Sequence, residues 1–290
     1  MTMPADATIH DIGYRRYEGA RLGARGAWIA LWWQGVRAMF GLGRPAKAKL
    51  VPVFVVVVTL LPCLALLAAS SASGGQLPIR YGTLLDGRLI LFVLFAAAQV
   101  PEVLSRDQQH RILPLILTRD VTRLQYASAR LAAVCTAMLF VALSPLLLLY
   151  VGEIGVATDP AAAFREMGHT LGALLLHGTL TAWVIGSLGA ALASFTSRRA
   201  YATASIIGTF LVAAAIATGL DDLAGVSVRA AELLDPIRAL RTMGYVLFEE
   251  TTRGMELNPP PSLWVYSALL TGIGAAAAVG LVLRIRRMSV

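Results

Sequence analysis

Residues 50–70 read LVPVFVVVVTLLPCLALLAAS, 21 positions without a charged side chain. A bilayer core about 30 Å thick is crossed by about 20 apolar residues in a helix rising about 1.5 Å per residue. The stretch is therefore long enough to cross. In lipid the backbone must pair within its own segment or in a closed barrel. Barrel strands are short and alternate in polarity, so this run reads as a helix. Pro52 falls in its first turn, where proline is tolerated. Pro62 lies inside, where a kink is expected.

Five more runs follow, at about 84–103, 128–151, 169–193, 200–220 and 263–283. The second carries Arg88 near its start and Pro101 and Glu102 at its end. The third contains Pro145, a second expected kink. Apolar residues make up 57% of the 290 and charged ones 14%, against about 45–50% and about 25% in soluble domains. Mean hydropathy is +0.68. The expected fold is an all-α integral membrane protein: an N-terminal segment, 1–49, then one six-helix transmembrane domain, 50–290. The first apolar run begins too far along for a signal peptide, so span 1 is expected to be an uncleaved anchor. Cys63 and Cys135 fall within spans and are expected as thiols rather than as a disulfide framework.

Six helices place both termini on one side. The segments assigned to that side carry eighteen Lys and Arg, against seven on the other. Cytoplasmic loops hold the excess of basic residues, so both termini are expected in the cytoplasm. Topology accounts for the formal charge of +8 without nucleic acid as a partner.

Two segments outside the spans show helical periodicity. Between Ala27 and Phe40, residues Trp28, Trp32, Val36, Met39 and Phe40 share one face, with Gln34 and Arg37 opposite. Arg44, Lys47 and Lys49 follow. Tryptophans on one face with basic flanks suit a helix lying in the membrane interface. On the other side, 221–262 is long for a plain connection. Asp235-Pro236 reads as an N-cap and first helical position. Leu233, Ile237, Leu240, Met243 and Leu247 form a stripe, and Ser262 can cap the last span. An amphipathic or re-entrant helix is expected there.

The chain has no G-x-x-x-x-G-K-[ST] loop, no H-E-x-x-H, no G-x-S-x-G and no C-x-x-C, so neither a P-loop ATPase site nor these catalytic sets are present. His169 and His177 stand eight residues apart in span 4, too far apart for a local metal site. Hydrogen-bonded packing is the expectation for them, with no catalytic and no metal site in the chain. Glu153, Asp159 and Glu166 are expected in a solvated outer loop. The span centres are nearly free of ionisable groups, which disfavours ion coupling.

The connection between spans 2 and 3, "SRDQQHRILPLILTRDVTRLQY" (105–126), is charged at both ends and aliphatic in the middle. On the cytoplasmic side such a stretch can push its aliphatic part into a partner while its charges fix register. Its order, Glu102, Arg106, Asp107, Leu113, Leu115, Leu117, Thr118, Arg119, Val121, Thr122, Arg123 and Tyr126, resembles the docking loop of the six-span permease subunits of type-2 ABC exporters. The opening "IHDIGYRRYEGARLG" (9–23) is similar to bacterial members of that group. Asp120 stands where a proline is frequent in the family, and Gln108, Gln109 and His110 replace a glycine-containing turn.

The resemblance implies a non-catalytic subunit in a bacterial inner membrane. Two copies would pair, with two copies of a separate ATPase beneath them that supply the MgATP chemistry. Docking would fall on Glu102, Ser105, Arg106, Asp107, Gln108, His110, Arg111, Arg119 and Arg123. The interfacial helix would carry Trp28, Trp32 and Arg37, and outer re-entrant helices would precede span 6. Two rival readings are an ion-coupled carrier acting alone and a membrane scaffold that recruits a cytoplasmic protein.

Overall fold

Apolar runs become helices here, and the differences between those helices decide what is inside. The computed structural model describes residues 23–74, 79–110, 112–118, 121–224, 234–249 and 262–288, the side chains of 221–224 excepted. The described residues form α1 (Gly23–Met39), a 3₁₀ turn (Ala46–Lys49), α2 (Leu50–Ala72), α3 (Tyr81–Val103), α4 (Ser105–Gln109) and α5 (Ile112–Leu117). There follow α6 (Arg123–Val156), α7 (Pro160–Glu166), α8 (Gly168–Ser194), α9 (Arg199–Ala224), α10 (Pro236–Leu247) and α11 (Leu263–Arg287). No strand occurs among the described residues.

Six of these helices, α2, α3, α6, α8, α9 and α11, are long and apolar enough to cross a membrane. They coincide with the six apolar runs, but four start earlier than the runs suggest. The largest shift is in α6, which begins at Arg123 rather than near 128. Its start is set by a capping box: the Thr122 hydroxyl accepts from Gln125 N at 3.2 Å, and the Gln125 side chain accepts from Thr122 N at 2.9 Å. At 34 residues and about 1.5 Å per residue, α6 is about 51 Å long. Pro62, Pro101 and Pro145 all sit within continuous helix.

The helices divide into two sets. In α3, α6 and α8 half or more of the most apolar stretch is buried, while α2, α9 and α11 are largely exposed. α8 packs between α6 and α11, and α3 is touched by α1, α2, α6, α8, α9 and α10. The main core joins these elements through Phe92, Phe95, Met138, Ile185, Ile206 and Leu240. A second cluster at the far end holds Cys63, Tyr81, Leu146, Leu149 and Leu174.

α1 runs alongside the first half of α6. Gly35 meets Ala133 so closely that a Cβ on Gly35 would lie 2.6 Å from the Ala133 Cβ. Phe40 packs edge-on against Phe140 at 5.5 Å. The chain then reverses at Gly41, whose φ of +65° and closeness to the Ala48 carbonyl exclude a side chain. The tryptophan stripe faces the protein: Trp28 Nε1 donates to Ser128 Oγ at 3.0 Å, and Trp32 Nε1 to Thr136 Oγ1 at 3.1 Å. Ile29 and Trp33 form the outward face.

α10 is capped as the sequence suggests, with the Asp235 carboxylate accepting from Ile237 N at 2.9 Å and Pro236 in the first turn. It is wedged among α3, α8, α9 and α11, and Ala239, Leu240, Thr242, Met243 and Gly244 are all buried. The stripe residue Leu233 lies outside the described residues. Ser262 holds the N-cap position of α11 without a side-chain cap bond. Asp159 is the N-cap of α7, accepting from Ala161 N and Ala162 N, and Glu153 accepts from the Tyr81 hydroxyl at 2.6 Å. These two carboxylates have structural roles that a plain solvated loop would not give them.

Candidate functional site

α3 ends with Glu102 and Val103, and the chain turns at Leu104 into the one-turn α4. Three inward-facing side chains fix that turn. The Ser105 hydroxyl donates to the Ala193 carbonyl at 2.9 Å, and the Gln108 amide to the Ser194 carbonyl at 3.0 Å. Both acceptors lie at the end of α8, where carbonyls have no partner within the helix. Asp107 is buried, accepting from the Tyr126 hydroxyl at 2.8 Å and Arg130 Nη2 at 2.6 Å. Arg130 is itself 2% exposed. Its Nη1 donates to the Gln34 side chain and the Leu31 carbonyl of α1, and its guanidinium lies over the Tyr126 ring. Asp107 thus links α4, α6 and, through Arg130, α1.

Glu102 is a second junction. Its carboxylate pairs with Arg44 at 2.5 Å, with Arg199 at 2.5 Å and more loosely with Arg106 at 3.9 Å. One acidic group therefore ties the chain after α1, the start of α9 and the start of α4. Arg123 donates to the Arg286 carbonyl at 2.6 Å and the Met288 carbonyl at 2.9 Å. A cation at carbonyls leaving a helix C-terminus is favourable.

The residues expected to meet a partner thus separate into two groups. Ser105, Asp107 and Gln108 turn inward and hold the loop; a partner cannot reach the carboxylate that Arg130 and Tyr126 occupy. Glu102 is mostly covered and Arg123 is engaged with α11. The outward surface of α4 and α5 is made by Arg106, Gln109, His110, Leu115 and Thr118. Arg111 and Arg119 lie outside the described residues. Arg130, Arg44 and Arg199 were not among the expected site residues. The T-x-x-Q box at 122–125 was the available signal for Arg130, since it moves the start of α6 outward and leaves this arginine two turns inside. Nothing local marks Arg44 or Arg199 as partners of Glu102.

A different arginine lies inside the bundle. Arg88 is seven residues into α3, because the helix begins at Tyr81 rather than near 84. It is 4% exposed. Its Nη2 donates to Cys63 Sγ at 2.8 Å, while Nη1 is buried without a partner among the described residues. Arg88 thus lies in the first third of α3, nearer its start than its centre. His177 is fully buried, donating from Nε2 to the Leu240 carbonyl of α10 at 3.0 Å. His169 stays exposed, so α10 makes the difference between the two. No group of metal-ligating side chains occurs among the described residues, and both cysteines are free.

No protein-family model matches the chain, and no curated protein matches it. The fold and the site define a multi-pass helical membrane protein with six candidate spans. The connection between α3 and α6 is bonded inward and exposed outward.

Proposed function

We propose that the chain is the membrane-spanning subunit of an ATP-driven exporter, with a separate P-loop ATPase docking on α4 and α5. The observation that carries this reading is the two-sidedness of the connection. Inward bonds from Ser105, Gln108 and Asp107 tie it to α8, α6 and α1, while Arg106, His110, Leu115 and Thr118 stay outside. A contact that transmits force needs a rigid anchor on one side and a mixed charged and aliphatic surface on the other. Glu102 extends the linkage to α9 through Arg199. Arg37, Arg44, Arg106, Arg123, Arg198 and Arg284 gather at this end, which supports its assignment to the cytoplasm. The exposed sides of α2 and α9, with Phe54, Leu61, Leu211 and Ile216 outward, suit a second copy of the chain as well as lipid. In this reading α1 lies in the interface with Ile29 and Trp33 toward lipid, α10 is a re-entrant helix from the outer side, and the membrane is a bacterial inner membrane.

The test is mild extraction of the tagged chain from its native membrane, with co-purifying proteins identified by mass. A stoichiometric P-loop ATPase is the expected result. The chain emerging alone across several mild detergents overturns the reading. A carrier acting alone is favoured by one observation, Arg88 buried within α3 beside a thiol and with no carboxylate partner among the described residues. It predicts ion-gradient-driven transport in proteoliposomes without ATP, lost in Arg88→Gln.

A further inference from the structure

Between α1 and the corner where α3 turns into α4 lies an open cleft of about 650 Å³. Arg37, Arg44 and Arg106 line it, with Glu102 at its base and Trp33 and Leu42 on the α1 side. The charges do not balance. Glu102 is shared among Arg44, Arg106 and Arg199, and Asp107 is taken by Arg130. Arg37 has no ion-pair partner among the described residues, and its guanidinium lies beside Gly43, where an added Cβ would sit 3.7 Å from Nη2. The cleft therefore presents guanidinium groups with unused donors. Such groups match the oxygens of a phosphate in a planar, two-pronged contact.

The α1 side has the opposite character. Trp33 and Leu42 are each about half exposed, at 53% and 49%, and Ile29 continues the apolar surface at 55%. A soluble phosphate has no use for that surface. A phosphate carried on acyl chains uses both parts, and tryptophan is the side chain enriched at headgroup depth. We propose that the cleft binds the phosphate of an anionic phospholipid through Arg37 and Arg106, with Trp33 and Leu42 against the start of the chains. The bound lipid would join α1 to α4 at a place where the protein makes no direct bond between Arg37 and the α4 corner. The proposal does not depend on the ATPase reading, because it concerns the isolated chain.

The test is native mass spectrometry of the full chain in mild detergent, titrated with dioleoyl phosphatidylglycerol, dioleoyl phosphatidylcholine or inorganic phosphate. One phosphatidylglycerol per chain should be retained. A basic residue near an anionic headgroup contributes about 1 kcal/mol, so Arg37→Gln should weaken retention about fivefold and Arg37→Gln with Arg106→Gln about 25-fold. Arg37→Lys, which keeps the charge but loses the planar fork, should weaken retention less than Arg37→Gln. Both arginines are exposed, so the variants should fold, which an unchanged melting temperature checks. Phosphatidylglycerol bound equally by wild type and the double variant overturns the proposal, as does phosphatidylcholine bound with equal affinity. Displacement of the lipid by equimolar inorganic phosphate also overturns it and assigns the site to a soluble ligand.

Discussion

Arg130 and Arg88 are both buried in this bundle, and their surroundings differ in kind. Arg130 has the Asp107 carboxylate, the Gln34 side chain, the Leu31 carbonyl and the Tyr126 ring. Arg88 has a thiol at 2.8 Å and no carboxylate partner among the described residues, where each guanidinium also keeps one nitrogen without a partner, Nη1 of Arg88 and Nε of Arg130. Removing one member of a buried ion pair strands the other, whereas replacing a poorly paired buried charge with an apolar group can be neutral or stabilising. Arg130 is thus a lock that fastens α4 to α6 and α1. Arg88 is a buried charge that the fold tolerates without using it for support.

The largest expected effect tests the lock. Asp107→Ala should strand the Arg130 guanidinium and cost about 3–5 kcal/mol, seen as a large fall in the thermal midpoint of the purified chain. Combining it with Arg130→Met should restore part of that loss, because no buried charge is then left alone. Arg88→Met should change stability little or raise it. A loss at Arg88→Met as large as that at Asp107→Ala would remove the distinction between the two arginines.

The next effect concerns the α1 contact that Arg130 supports. Gly35→Leu should overpack the close approach to Ala133 and cost about 1–3 kcal/mol. Protease susceptibility near α1 should rise with it. Glu102→Gln removes the partner of three arginines, but two of them are about half exposed, so water already competes. The expected loss is about 1 kcal/mol, again by thermal midpoint. Arg106→Ala should leave stability within about 0.5 kcal/mol, yet reduce stimulation of the proposed ATPase partner. A silent Arg106→Ala in that activity assay would move the dock elsewhere on the loop.

The six long helices were legible because each is a near-continuous apolar run, and the cost of leaving backbone groups unpaired in lipid leaves little choice of structure. The helix starts were less so: the apolar count places α6 near 128, while the capping box at Thr122 and Gln125 begins it five residues earlier. The stripe on α1 was legible, but its partner was not. Trp28 and Trp32 could face lipid or protein on periodicity alone, and only the hydroxyls of Ser128 and Thr136, about a hundred residues away in sequence, decide between them. The same limit applies to α10. A stripe at Ile237, Leu240 and Met243 suggests one buried face, yet Thr242 and Gly244 are buried as well, because small side chains let α8 approach through His177. In the connection between α3 and α6, residue order singled out the segment and not its two sides. Asp107 and Arg106 are adjacent charges in the chain, and only the position of Arg130 turns one inward.

The most direct measurement of that division is photocrosslinking from two positions in native membranes. One photoreactive residue replaces His110, on the outer surface of α4's end, and the other replaces Phe140, exposed on the apolar outer face of α6. The account predicts that His110 crosslinks to a P-loop ATPase and Phe140 does not. Equal crosslinking from both positions, or none from His110 while the loop remains folded, would contradict it.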